Sequence, residues 1–232
     1  MRAVVALLAA LVVAGCGDPP AVEVLGEGPQ RATIFRPPEP RGATVLFLHG
    51  WGGMDARGYR AWIDHLVDEG HVVVFPRYQD SFASLPAQAL PDALAGIRAA
   101  FAELEPDRVV AVGHSAGGAL AADYAAVARA ARLPVPEAIL LAYPGRRARR
   151  LPGRLPELGD QRIPRSVRIV ALASPRDAVV GTRTAREVVR DAGHGRLVLV
   201  REPGVGDHLA PMRSGPAERR VFWSRLDALL SP

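Results

Sequence analysis

Val109-Val110-Ala111-Val112-Gly113-His114-Ser115-Ala116-Gly117-Gly118 is the stretch whose reading decides the fold. Residues 108–112 form a short apolar run that predicts a buried β-strand, and the Ala-rich segment 116–131 predicts a helix. Between them a serine is bracketed by small residues two positions before and two after, the spacing G-x-S-x-G. A strand that turns this sharply into a helix has no room for side chains at Gly113 and Gly117, and it holds Ser115 in a strained conformation with its hydroxyl exposed. Ser115 then sits at a helix N-terminus, where free N–H groups and the helix dipole favour negative charge. A glycine-rich turn that cradles a phosphate is the competing reading of such a pentapeptide. The strand before it and the candidate partners below weigh against that reading.

Outward from this turn the chain alternates strands and helices. Residues 43–48 (ATVLFL) read as a strand buried on both faces, ending at His49-Gly50. Tyr59, Trp62, Ile63, Leu66 and Val67 recur at helical spacing up to Gly70. Residues 72–75 are the next strand, and Leu94, Ile97, Phe101 and Leu104 mark one face of a helix starting near Pro91. Strands follow at 138–142, 167–173 and 197–200, with helices around 185–191 and 217–230. This order predicts an α/β fold, one mainly parallel sheet with helices on both faces. The expected organisation is a single domain over 31–232, interrupted at 144–165 by an irregular, lid-like insert.

Composition bounds the function. In 232 residues, 49% are hydrophobic and 23% charged, which suits a globular domain with a sizeable core and excludes fibrous, disulfide-rich and wholly disordered classes. All 29 basic residues are Arg, against 24 acids, for a net charge of +5. No basic–aromatic interleaving accompanies the excess, so a nucleic-acid partner is not expected. None of the six histidines lies in a metal-ligand spacing such as H-x-x-x-H, so neither a metal nor another cofactor is expected.

The N-terminus carries one positive charge at Arg2 and an apolar run over 3–14, too short to span a bilayer and suited to the core of an export signal. It ends in Val13-Ala14-Gly15-Cys16, which resembles the lipobox of bacterial lipoproteins. The resemblance implies a signal peptide over 1–15, lipidation of Cys16, a tether over 16–30 and a lipid-anchored location in the cell envelope. An ordinary signal peptide with an incidental Cys16 is the alternative. Cys16 is the only cysteine, so no internal disulfide supports the fold.

With its elbow at 113–117, the chain resembles the α/β-hydrolase superfamily over about residues 31–230. That family orders nucleophile, acid and base along the chain. Carried over, Ser115 is the nucleophile and Asp177, in the loop after the strand 167–173, is the acid. His208, after the last strand, is the base. Asp160 and Asp207 are rival acids, and Asp177 could instead cap a helix. His65, His71 and His194 read as structural, and the elbow points His114 away. In similar hydrolases a His-Gly pair such as His49-Gly50 precedes an oxyanion donor, which implies the N–H groups of Trp51 and Ala116, with Gly52 as the fallback. The run 51–79 further resembles dienelactone hydrolases, chlorophyllases and esterases. A dienelactone hydrolase normally uses Cys, so Ser115 favours ester hydrolysis. The implied activity is a serine carboxylesterase acting on small or short-chain esters. An amidase or peptidase of the same fold, and a binding lipoprotein without activity, are the alternatives. The arginines of the insert (Arg146, Arg147, Arg149, Arg150, Arg154, Arg162 and Arg165) read either as a solvated loop or as a contact for acidic groups.

Overall fold

The computed structural model describes residues 20–147 and 153–231. Eight strands form one sheet in the order β1-β2-β4-β3-β5-β6-β7-β8. They are β1 (Ala21–Leu25), β2 (Ala32–Arg36), β3 (Thr44–Leu48), β4 (Val72–Pro76), β5 (Val109–His114), β6 (Ala138–Ala142), β7 (Arg168–Ala173) and β8 (Arg196–Leu199). β1 and β2 pair antiparallel, as do β2 and β4; every other pairing is parallel. The central strands β3, β4, β5 and β6 are buried along their whole length, which is why they read as unbroken apolar runs.

Two layers of helices account for that burial. One face is covered by α2 (Ala89–Leu104), α3 (Ala116–Val127) and α4 (Arg183–Ala192), which pack with Leu46, Leu48, Val74, Ala111 and Leu141. The other face meets α1 (Arg60–Asp68) and the C-terminal helical segment, through Trp62, Ile63, Leu66, Phe222 and Leu226 against Val45, Phe47 and Val112. That last segment, expected as one helix over 217–230, instead starts at Pro216 and passes through a π-helical turn at Arg219–Trp223 before Ser224–Leu230.

The tether expected over 16–30 is corrected from Ala21 onward. β1 adds a strand to the sheet edge, in register from Ala21 opposite Arg36 to Leu25 opposite Ala32. Its Val22 and Val24 are each 54% exposed and none of its five residues is buried, so its apolar positions do not mark a core-facing side for a sequence reading to find. Cys16 and the signal segment lie outside the described residues, as do Arg149 and Arg150 of the insert.

The rest of the insert is not simply a solvated loop. The Arg146 guanidinium donates to both carboxylate oxygens of Asp123 on α3, and to the carbonyl of Pro156 at 2.8 Å. The Leu155 N–H returns to the Arg146 carbonyl at 2.9 Å. Arg146 therefore links Leu155 and Pro156 to Asp123 on α3. Asp123 is only 3% exposed. Burial pushes its carboxyl upward in pKa, against the stabilising pull of Arg146. Removing one partner of a buried pair strands the other charge. Asp123→Ala should therefore cost about 3–5 kcal/mol, read as a lowered urea midpoint, while loss of an exposed pair such as Arg183–Glu187 should leave the midpoint nearly unchanged.

Candidate active site

The elbow sits where β5 gives way to α3. Ser115 has φ 56° and ψ −121°, a backbone conformation that side-chain-bearing residues rarely adopt. Such strain costs roughly 1–3 kcal/mol and persists only where the surroundings impose it. Here they do. The Ser115 N–H donates to the Ala142 carbonyl at the end of β6 (3.0 Å), and its own carbonyl accepts from Gly118 (3.0 Å), Ala119 (3.2 Å) and Gly145 (3.0 Å). Glycine is needed on both sides. A Cβ on Gly113 would lie 2.1 Å from the Gly117 carbonyl oxygen, and one on Gly117 would lie 2.1 Å from that of Leu48.

The structure brings Ser115, His208 and Asp177 together. His208 Nε2 is 2.8 Å from Ser115 Oγ, and His208 Nδ1 is 2.7 Å from Asp177 Oδ2. Asp177 lies in the loop after β7, where its Oδ1 accepts the N–H groups of Val179 (2.8 Å) and Val180 (3.1 Å). Burial pushes its carboxyl up, but His208, through hydrogen bond and charge, and these two N–H groups outweigh burial and hold it below its ordinary value. The rival acids are elsewhere. Asp207 turns to Arg213, at 2.6 Å and 3.0 Å, and Asp160 is exposed in the insert. The loop carrying His208 is braced by Arg176, which donates to the carbonyls of Arg201 and Glu202, and by the Tyr143 hydroxyl, which donates to that of Val205.

Beside Ser115 runs the loop His49-Gly50-Trp51-Gly52-Gly53. The Gly52 N–H is taken by Gln79 Oε1 at 2.9 Å, and that of Gly53 by the Gly50 carbonyl at 2.8 Å. Among the described residues, no protein acceptor engages the N–H of Trp51 or of Ala116, the first residue of α3. The fallback donor Gly52 is thus already committed, while the two N–H groups expected from the sequence stay open.

Three participants escaped the sequence reading. Buried Gln79, three residues past β4, fixes the loop 49–53 through the Gly52 N–H. Tyr59 reads as one more apolar position of α1, yet its hydroxyl lies 2.8 Å from the Gly50 N and 2.8 Å from His114 Nδ1. His114, expected to point away, is buried against His208, its Nε2 2.8 Å from the His208 carbonyl. Helical or strand spacing reports that such residues are inside, and their polar partners appear only once the loops are assembled. No group of three or more His, Cys, Asp or Glu residues suited to a metal occurs among the described residues.

A family model described as the alpha/beta hydrolase fold matches residues 45–178, more than half of the chain. No curated protein matches the sequence. Among solved structures, esterase 2 of Thermogutta terrifontis, phosphoramylated by tabun, is 19% identical with a TM-score of 0.67, covering 95% of this chain and 97% of that one. A mutant of the esterase E40 is 19% identical with a TM-score of 0.68, covering 94% and 86%. A putative dienelactone hydrolase from Klebsiella pneumoniae is 18% identical with a TM-score of 0.60, covering 90% and 98%. At these identities the likeness is one of fold.

Two outcomes follow from the packing of the elbow. Gly117→Ala drives a methyl group into backbone that cannot give way, and should cost about 1–3 kcal/mol or more by urea unfolding. Burial first, and His208 next, pull the His114 pKa down to about 3, so the folded protein keeps this ring neutral. Below about pH 6.5 the unfolded chain takes up a proton that the native state refuses. Stability should then fall by about 1.4 kcal/mol per pH unit on this account, continuing down toward pH 3. Urea unfolding at pH 7 and pH 5 should differ by about 2 kcal/mol from this residue alone, and the difference should shrink in His114→Gln.

Proposed function

The chain belongs to the α/β-hydrolase fold family, and on that premise we propose that it is a serine carboxylesterase working through an acyl-enzyme on Ser115. The observation that carries this reading is the unbroken line of contacts from Ser115 Oγ through His208 to Asp177, at 2.8 Å and 2.7 Å. In the proposed reaction Ser115 Oγ attacks the ester carbonyl while its proton passes to His208 Nε2. The imidazolium returns that proton to the departing alcohol, leaving an acyl group on Ser115. A water molecule activated by the same imidazole then releases the acid. Asp177 holds the Nδ1–H tautomer and stabilises the imidazolium. The open N–H groups of Trp51 and Ala116 receive the charge that grows on the carbonyl oxygen, and such a donor contributes roughly 3–4 kcal/mol in enzymes of this kind.

The preference for small or short-chain esters is supported by the minimal insert, whose root is fastened to α3 through Arg146 and Asp123. An apolar side chain is exposed next to each half of the site: Phe82, whose carbonyl accepts the Trp51 indole N–H at 3.1 Å, and Leu209, beside His208. Both suit an apolar acyl or alkoxy group.

We further propose export to the cell envelope and anchoring through acyl chains on Cys16, a reading supported by the apolar run 3–14 and the Val13-Ala14-Gly15-Cys16 sequence. Cys16→Ser should release the protein from the membrane fraction; a wild type found wholly in the soluble fraction would overturn the proposal.

Purified protein should hydrolyse p-nitrophenyl butyrate, with turnover abolished in Ser115→Ala and lowered about 10³–10⁴-fold in Asp177→Asn, which leaves the site's shape but supplies the wrong tautomer. Unchanged turnover in Ser115→Ala would overturn the mechanism. Rates should fall steeply from butyrate to laurate esters, and equal or rising rates would refute the short-chain preference.

A further inference from the structure

Three contacts of equal length, two of them fully buried, join the oxyanion loop to the base loop behind the nucleophile. Gly50 N lies 2.8 Å from Tyr59 Oη, Tyr59 Oη lies 2.8 Å from His114 Nδ1, and His114 Nε2 lies 2.8 Å from the carbonyl oxygen of His208. Donor chemistry fixes every proton in this chain. The Gly50 amide can only donate, so it takes one lone pair of the Tyr59 oxygen. The His208 carbonyl can only accept, so His114 carries its hydrogen on Nε2. The neutral ring then presents a lone pair at Nδ1, and the Tyr59 O–H donates to it. One arrangement satisfies all the groups, and all of them run in the same sense from Gly50 to His208.

The surroundings leave this arrangement little freedom. Tyr59 and His114 are each 2% exposed. The Tyr59 ring packs at 5.1 Å from Phe47 and 5.9 Å from His114, and the His114 ring is 4.9 Å from that of His208. A Cβ built on Gly50 would sit 3.1 Å from His114 Nδ1, 3.2 Å from Tyr59 Oη and 3.4 Å from the Ser115 Cβ. Gly50, Tyr59, His114 and Ser115 thus meet at one point. On one side of it hangs the peptide that leads to the Trp51 N–H; on the other hangs the backbone of His208.

We propose that Tyr59 and His114 are positioning residues for hydrolysis, coupling the oxyanion donor at Trp51 to the base His208 through a directed hydrogen-bond relay. The inference rests on the serine-hydrolase reading of the same site. Neither residue touches substrate. Their part is to fix the distance between the place where negative charge develops and the imidazole that handles the proton, so that both are in register with Ser115 Oγ. Removing the Tyr59 hydroxyl leaves the Gly50 N–H and His114 Nδ1 without partners and breaks this direct link between the two loops, which Gln79 on one side and Arg176 and Tyr143 on the other still brace separately. Small misplacements of this kind are expensive in catalysis while leaving substrate binding nearly untouched.

The test compares the full chain with Tyr59→Phe, His114→Ala, His114→Gln and the double variant Tyr59→Phe/His114→Ala. It reads kcat and KM on p-nitrophenyl butyrate, the rate of Ser115 labelling by a fluorophosphonate probe, and Tm. Labelling needs no knowledge of the natural substrate. The expected result for Tyr59→Phe is a folded protein whose kcat and labelling rate both fall about tenfold or more, with KM within twofold. Because the two residues act in one chain, the double variant should lose no more than the worse single variant. His114→Gln, whose amide can still donate to the His208 carbonyl, should lie closer to wild type than His114→Ala. Should His114→Ala fail to fold, the isosteric Tyr59→Phe still decides. Labelling and kcat within twofold of wild type in Tyr59→Phe, or losses that multiply in the double variant, would overturn the proposal. Turnover surviving in Ser115→Ala would instead overturn the hydrolase reading itself.

Discussion

The close approach of α3 to the strand ends is the constraint on which the rest depends. Gly113 and Gly117 let the first turn of the helix lie directly on the backbone of β3 and β5, where a single methyl group has no space. That approach forces Ser115 into its positive φ, and it turns the Ser115 carbonyl toward Gly118, Ala119 and Gly145. The strain is repaid by hydrogen bonds to two parts of the chain, the first turn of α3 and the end of β6 with the residues just beyond it. The same geometry leaves the Ala116 N–H without a protein acceptor among the described residues, and it puts His114 behind Ser115 among Tyr59, Gly50 and His208.

Electrostatics then act locally, although the chain is basic as a whole. The arginines are largely spent on carboxylates and carbonyls close by. Arg213 holds Asp207 and Glu218, Arg176 holds the loop before His208, and Arg146 holds Asp123. Each ties a loop to a neighbouring loop or helix. An all-Arg cation set suits such work, because the planar guanidinium can bond two acceptors at once, as Arg146 does with Asp123 and Pro156.

Much of this was legible in the sequence, for reasons that differ by element. β3, β5 and β6 announce themselves because strands buried on both faces must be apolar throughout, and the elbow is visible because steric need dictates its glycines. The order Ser115, Asp177, His208 could be tested by position alone, since each lies just past a predicted strand. β1 and β2 were not legible: β1 is a short edge strand that leaves Val22 and Val24 exposed, and β2 is a short run whose buried Ala32, Ile34 and Phe35 keep no strict alternation. Tyr59 reads as an interior position but not as a hydrogen-bonding one, Gln79 carries no signal beyond the end of a run, and His114 reads as turned away. Their partners are mostly backbone groups of distant loops, and a backbone group leaves no trace in residue type.

The line from Asp177 to Ser115 also has a consequence for how the molecule folds. Ser115 and His208 are 93 residues apart in the chain, and His114 meets the His208 backbone across 94. Contacts of such long range form only after the loop entropy between them has been overcome. The elbow can turn as soon as β3, β5 and β6 are paired, but the imidazole reaches it only when β8 has docked at the far edge and the chain has crossed back. A partly folded chain with an intact central sheet would hold Ser115 without its base. Recovery of nucleophilicity at Ser115 during refolding would then mark the last step of assembly, later than the secondary structure that surrounds it.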